Sequence, residues 1–271
     1  MLVAATVVVG LASGVLAGAF GIGGGLLTTP AIALLLGYPA LIAVGTPLPV
    51  IIPGALTGAA AYHRRGLADV RAALLMALVG AAGSVGGALV TRFVGGAGVL
   101  LVTAAVITWA SIDMLRRHRA TVASQAVAGE AESDEALAGA EALGPARPRA
   151  WVLAAIGAAA GLYSGFLGLG GGFVIVPALM RWCGMPVKKA IGTSLVTIAL
   201  LAIPGTLTHW YLGHIDWALA AWLAVGVVPG AVIGARLTSR ASDRSVRLAF
   251  AVMLGVLGVW LAASQLLGLR G

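Results

Sequence analysis

The feature that most constrains this chain is a duplication centred on glycine. Gly14, Gly18, Gly21, Gly23, Gly24, Gly25 and Pro30 recur as Gly161, Gly165, Gly168, Gly170, Gly171, Gly172 and Pro177, at one constant offset. Without a gap, the same offset pairs Gly37 and Pro39 with Gly184 and Pro186, and Gly45-Thr46 with Gly192-Thr193. It then pairs Gly66 and Asp69 with Gly213 and Asp216, and Gly83 and Gly87 with Gly230 and Gly234. A match sustained over half a chain is an internal repeat, so whatever one half folds into, the other half also folds into.

Each unit is apolar throughout. Hydrophobic residues make up 60% of the chain and charged residues only 10%, against about 25% charged in a soluble domain. Apolar runs follow one another with few charges between them, which reads as a polytopic membrane protein. In lipid the backbone must satisfy its own hydrogen bonds, leaving helices or a closed barrel. Barrel strands alternate apolar and polar residues over roughly ten positions; these runs are longer and apolar on every side. The expected fold is an all-α polytopic membrane protein.

Apolar segments fall near 2–20, 26–37, 41–62, 70–91 and 97–115, and again near 151–168, 173–183, 188–211, 217–237 and 246–268. The second of each set is short and follows the glycine run, so each repeat is expected to hold about five membrane segments with one short, broken or re-entrant helix. The first twenty residues lack a basic start and from about Gly10 onward share in the duplication, and are expected to be the first membrane segment and not a cleaved leader. Repeat 1 is placed at 1–116 and repeat 2 at 150–271. Residues 117–149, rich in Ala with Glu130, Glu132, Asp134, Glu135 and Glu141, are expected to form a flexible linker.

The net charge of +8 comes from basic residues in short connections, which suits membrane orientation and not nucleic-acid binding. If each half crosses an odd number of times, the halves are inverted. Arg64, Arg65, Arg71, Arg116, Arg117, Arg119, Arg147, Arg149, Arg181, Lys188, Lys189, Arg236, Arg240, Arg244 and Arg247 then share one face, leaving Arg92 and Arg270 for the other. An even count splits them almost equally. Two inverted repeats with cytoplasmic loops and linker, and both termini outside, are therefore expected.

The glycine runs are the sharpest candidate site. Gly14/Gly18 and Gly161/Gly165 sit one turn apart and favour close helix approach. Gly23, Gly24 and Gly25, with Gly170, Gly171 and Gly172, instead permit unwound backbone. Such backbone at membrane depth must be buried in protein or line a watery cavity. The helix that follows opens on free N–H groups that favour an anion, and paired breaks in repeats point to a transporter's substrate site. Thr28, Thr46, Thr193 and Ser194 are candidate hydroxyl donors; the alternative for a membrane threonine is a bond to its own helix. Asp69 and Asp216 read as helix N-caps. Tyr62, His63, His209, Trp210, Tyr211 and His214 cluster at segment ends, with His209 far enough inside to carry a proton or touch an anion. A nucleotide fingerprint fails, because Leu26 and Phe173 stand where its last glycine belongs. The single Cys183 excludes an internal disulfide and a multi-cysteine metal site. No Asp, Glu, Lys or Arg sits mid-segment, which argues against a carboxylate-based proton cycle or a cation permease. No metal, cofactor or enzymatic activity is expected.

The duplicated Gly-x-Gly-Gly-Gly-x-x-x-x-Pro run, followed by Gly-Thr-x-Leu and Gly-x-x-Asp, resembles the sulfite exporter TauE/SafE family of membrane permeases. These read Gly21, Gly23–Gly25 and Pro30; Gly45, Thr46 and Leu48; and Gly66 and Asp69 in the first half. In the second they read Gly168, Gly170–Gly172 and Pro177; Gly192, Thr193 and Leu195; and Gly213 and Asp216. The resemblance covers the chain apart from the linker. It implies a multi-pass transporter of the cytoplasmic membrane for small sulfur-containing anions such as sulfite, thiosulfate or sulfoacetate. An anion channel, or a permease for an unrelated solute, stands as the alternative. The anion, the direction, the coupling ion (proton or sodium) and homo-oligomerisation are left open. Pro47 stands where the second half has Ser194, so the halves need not contact substrate equally.

Overall fold

The computed structural model describes residues 2–91, 93, 150–168, 170–246, 248–250, 252–253 and 255–256. The expected linker, the segment at 97–115 and most of the last segment lie outside these. Among the described residues the fold is all-α. In chain order the helices are α1 (Leu2–Phe20), α2 (Gly25–Leu34), α3 (Ala40–Gly45), α4 (Pro47–His63), α5 (Val70–Thr91), α6 (Ala150–Leu167), α7 (Gly172–Trp182), α8 (Val187–Tyr211) and α9 (Trp217–Arg240).

Among the described residues, six spans are long and apolar enough to cross a membrane: α1, α3 joined to α4 through Thr46, α5, α6, α8 and α9. The two short helices are the ones expected after the glycine runs. α2 has 10 residues and α7 has 11. At about 1.5 Å per residue each covers roughly half of a ~30 Å hydrocarbon core. Outward faces carry exposed Leu74, Leu78, Leu162, Leu207 and Leu237, as lipid-facing surfaces do.

Lipid tails are as apolar as leucine, so helices in a bilayer associate through close packing and not through hydrophobic burial. Here the packing is exchanged between halves. A Cβ on Gly10, Gly14 or Gly18 of α1 would run into the backbone of Leu223, Val227 or Ala231 on α9. A Cβ on Gly157, Gly161 or Gly165 of α6 would likewise meet Met76, Gly80 or Ser84 on α5. These are the duplicated positions, residue for residue. The first helix of each half therefore packs on the fourth-segment helix of the other half, as the glycine spacing alone could not reveal.

The α3–α4 span and α8 cross in the core. Gly45 near the start of the first abuts His214, just past the end of the second, while Gly192 near the start of α8 abuts Tyr62 and Leu67. The main apolar cluster around them includes Leu48, Ile51, Leu195, Ile198, Leu201, Phe173 and Val176.

Candidate functional site

Both glycine runs adopt backbone that only glycine holds without strain. Gly21, Gly23 and Gly24 lie at φ 69°, 82° and 78°, and Gly168, Gly170 and Gly171 at 65°, 81° and 73°. The chain unwinds after Phe20 and after Leu167, and restarts as α2 and α7 at Gly25 and Gly172. The two breaks then meet. A Cβ on Gly23 would lie 3.6 Å from Gly170 Cα, and one on Gly170 would lie 3.5 Å from Gly23 Cα. The equivalent isoleucines Ile51 and Ile198 close on this contact, with Ile198 Cγ2 at 2.8 and 3.0 Å from the two Cβ positions. A side chain at either glycine would be strained by the positive φ and would press on Ile198.

The first turns of α2 and α7 are buried at this meeting point. Leu27 and Thr28 N–H bond to Gly24 O, and Val174 and Ile175 N–H bond to Gly171 O, at 3.1 to 3.2 Å. The amides of Gly25 and Leu26, and of Gly172 and Phe173, precede these and have no acceptor among the described residues. Leu26 and Phe173 are fully buried. A helix start leaves such amides orphaned, and burying them without a partner is costly. The buried hydroxyls of Ser13, Thr29 and Ser164, on the helices bordering the breaks, also find no partner among the described residues. The centre is therefore rich in neutral donors, with no fixed charge on either glycine run.

The four candidate hydroxyls have different uses. Thr28 Oγ1 donates to Gly24 O at 3.2 Å, within its own turn. Ser194 Oγ donates to Gly21 O at 2.8 Å and ties α8 to the first break. Thr193 Oγ1 accepts the amide of Asp69 at 2.9 Å, and Thr46 Oγ1 accepts the amide of Asp216 at 3.1 Å. Neither threonine bonds its own helix, the alternative weighed from sequence; each instead holds the loop of the opposite half. Asp69 and Asp216 cap as expected, accepting Ala72 N–H at 3.0 Å and Leu219 N–H at 2.9 Å.

His209 is fully buried, and its Nε2 donates to Gly165 O at 2.9 Å. Its Nδ1 lies 3.2 Å from His214 Nδ1. The equivalent position in the first half is Tyr62, whose hydroxyl donates to Gly18 O at 3.1 Å. Tyr62 is thus a buried core residue and not an interfacial aromatic. Ser13 and Ser164 escaped the sequence reading because alanines, Ala160 and Ala17, stand at their repeat partners. Among the described residues no three His, Cys, Asp or Glu side chains gather as a metal site would need.

Apolar spans built around paired helix breaks define a polytopic membrane transporter. The family model described as "Sulfite exporter TauE/SafE" matches residues 6–261, and the chain belongs to that family. It is 30% identical to a Xylella fastidiosa (strain 9a5c) protein described as "Probable membrane transporter protein", over 86% of this chain and 82% of that one. It is 27% identical to "Probable membrane transporter protein YunE" of Bacillus subtilis (strain 168), over 93% and 94% of the two chains. An archaeal relative from Methanocaldococcus jannaschii, also described as a probable membrane transporter protein, is 23% identical over 94% and 93%. No solved structure matches.

Proposed function

We propose that this transporter carries a small sulfur-containing anion, such as sulfite, thiosulfate or sulfoacetate, across the cytoplasmic membrane by alternating access. The observation that carries the reading is the meeting of Gly23 and Gly170, with buried, unpartnered amides at the starts of α2 and α7. An anion entering between the breaks would meet N–H donors and two helix dipole ends, with no competing carboxylate. Gly23, Gly24, Gly25, Gly170, Gly171 and Gly172 form its bed. Thr28, Thr46, Thr193, Ser194 and His209 act mainly by fixing the surrounding backbone. Neutral donors suit a cargo that must be released again.

The halves are read as inverted repeats, 1–116 and 150–271, joined by a cytoplasmic linker. Two observations support this: the start of the α3–α4 span lies against the end of equivalent α8, and the charge distribution favours an odd number of crossings. Ile51 and Ile198 then act as paired gates on either side of one site, exchanged as the halves rock.

Proteoliposome counterflow tests the mechanism. Vesicles loaded with unlabelled thiosulfate should accumulate labelled thiosulfate transiently, with saturable initial rates. Flux linear in concentration and without counterflow would establish a channel instead.

A further inference from the structure

The two halves share most of their contacts, Ser194 aside, but differ at the ends of α4 and α8. There the first half places Tyr62 and Leu67, and the second places His209 and His214. Both Tyr62 and His209 donate to the carbonyl of the equivalent glycine, Gly18 or Gly165. Only the histidine offers a second nitrogen, and only the second half supplies an imidazole to meet it.

Hydrogen-bond bookkeeping fixes the protons. Gly165 O accepts, so His209 carries a proton on Nε2 and its Nδ1 is free to accept when the ring is neutral. His214 Nδ1, at 3.2 Å, must then be the donor, which leaves His214 Nε2 as the open position. A proton arriving at that nitrogen keeps the Nδ1–H···Nδ1 bond and strengthens it by charge. Moving the bridging proton across delivers the charge to buried His209. A second proton would set two donors against each other at the same distance. The pair has room for one.

We propose that His209 and His214 form a binding site for a single shared proton, loaded from the aqueous end at partly exposed His214. From α6 the pair meets the uncharged Gly165 carbonyl, and from α3 the backbone at Gly45. In its own loop Asp216 spends a carboxylate oxygen capping Leu219. No Asp, Glu, Lys or Arg side chain acts on either ring among the described residues. Among the described residues, the charged side chains of the neighbouring helices, Arg71, Arg181, Lys188, Lys189, Arg236 and Arg240, sit at the opposite ends of α5, α7, α8 and α9. Gly165 lies one turn before Gly168, so a charge on His209 stiffens the backbone that leads into the second break. His214 also leans on Gly45, next to Thr46, which clasps Asp216. The link to transport rests on the anion reading above; the proton site does not.

The repeat itself supplies the variants. His209→Tyr and His214→Leu recreate the arrangement at Tyr62 and Leu67, including the bond to the glycine carbonyl. Full-length protein with 15N-labelled histidine, observed by NMR across pH 5 to 8, should show coupling between the two Nδ1 atoms and uptake of one proton by the pair. H214L should abolish the coupling and hold His209 in its Nε2–H form. Independent titration of the two rings, with no coupling at any pH, overturns the proposal. Thiosulfate affinity provides the second arm: it should rise toward tenfold per pH unit of acidification in wild type, and stay level in H209Y/H214L. Equal pH dependence in both proteins overturns the coupling. Absence of thiosulfate binding at every pH, with NMR coupling present, counts against the anion reading and supports the proton site alone.

Discussion

Thr193 accepts the amide proton of Asp69 at 2.9 Å across 124 positions of sequence, and Thr46 does the same for Asp216 at 3.1 Å. Each half thus clasps the loop that opens the other half's fourth segment. Thr46→Val and Thr193→Val keep the shape and remove the acceptor. Each should lower unfolding stability by about 1 kcal/mol, the net worth of one such bond. The two clasps share no partner, so the double variant should lose about the sum. Thermal unfolding of the three variants reads this directly.

Glycine at a helix crossing and glycine on an open face make opposite predictions. A Cβ at Gly161 would strike the Gly80 backbone, whereas one at Gly86 would meet nothing within 4 Å. Gly161→Ala should destabilise by about 2 kcal/mol through overpacking. Gly86→Ala should be neutral or stabilise by up to about 1 kcal/mol, because alanine favours helix. Equal effects would mean that α5 and α6 do not cross through these glycines.

Much of this is legible in the sequence. Helix-incompatible glycine triplets, placed identically in both halves, marked the breaks at Gly23–Gly25 and Gly170–Gly172, and apolar run lengths marked the short helices behind them. The partners were not legible. That α1 packs on α9, that Thr46 reaches Asp216, and that Gly23 touches Gly170 are contacts between distant positions, which periodicity within one segment does not encode. Tyr62 was misjudged in kind because it sits near an apolar-run end, whereas His209 lies inside as its position suggested and only its partners were not legible. Only the distant carbonyls of Gly18 and Gly165 draw them inward.

Ser194 has no counterpart at Pro47, so only the first break has its carbonyl tied down by this hydroxyl. Ser194→Ala leaves Gly21 O without that donor in a buried setting. It should lower stability by about 1 to 2 kcal/mol, and it should weaken anion affinity several-fold by loosening the loop. A thermal scan and a binding titration on one preparation separate the two effects.

Burial lowers the His214 pKa below its ordinary value of 6.5. The folded state therefore resists protonation there more than the unfolded chain does. The contribution to stability is complete above pH 6.5 and is lost as pH falls through the lowered value. Thermal unfolding should decline on acidification from pH 7 to 5, and His214→Leu should flatten that decline.

The central claim is that an anion sits where the glycine breaks meet. Its most direct test is thermal unfolding of the detergent-purified protein against sulfite, thiosulfate, sulfoacetate, taurine, sulfate, acetate and nickel, with Gly24→Ala/Gly171→Ala run in parallel. A ligand bound only to the folded state adds about 2.7 kcal/mol at a hundred times its Kd. The account predicts a shift with a sulfur oxyanion in the wild type that disappears in the double variant, which folds and inserts with a lower baseline stability from the strain at its two positive-φ positions and the Ala160 carbonyl against position 171. A shift of equal size in both proteins, or a response to nickel alone, would contradict it.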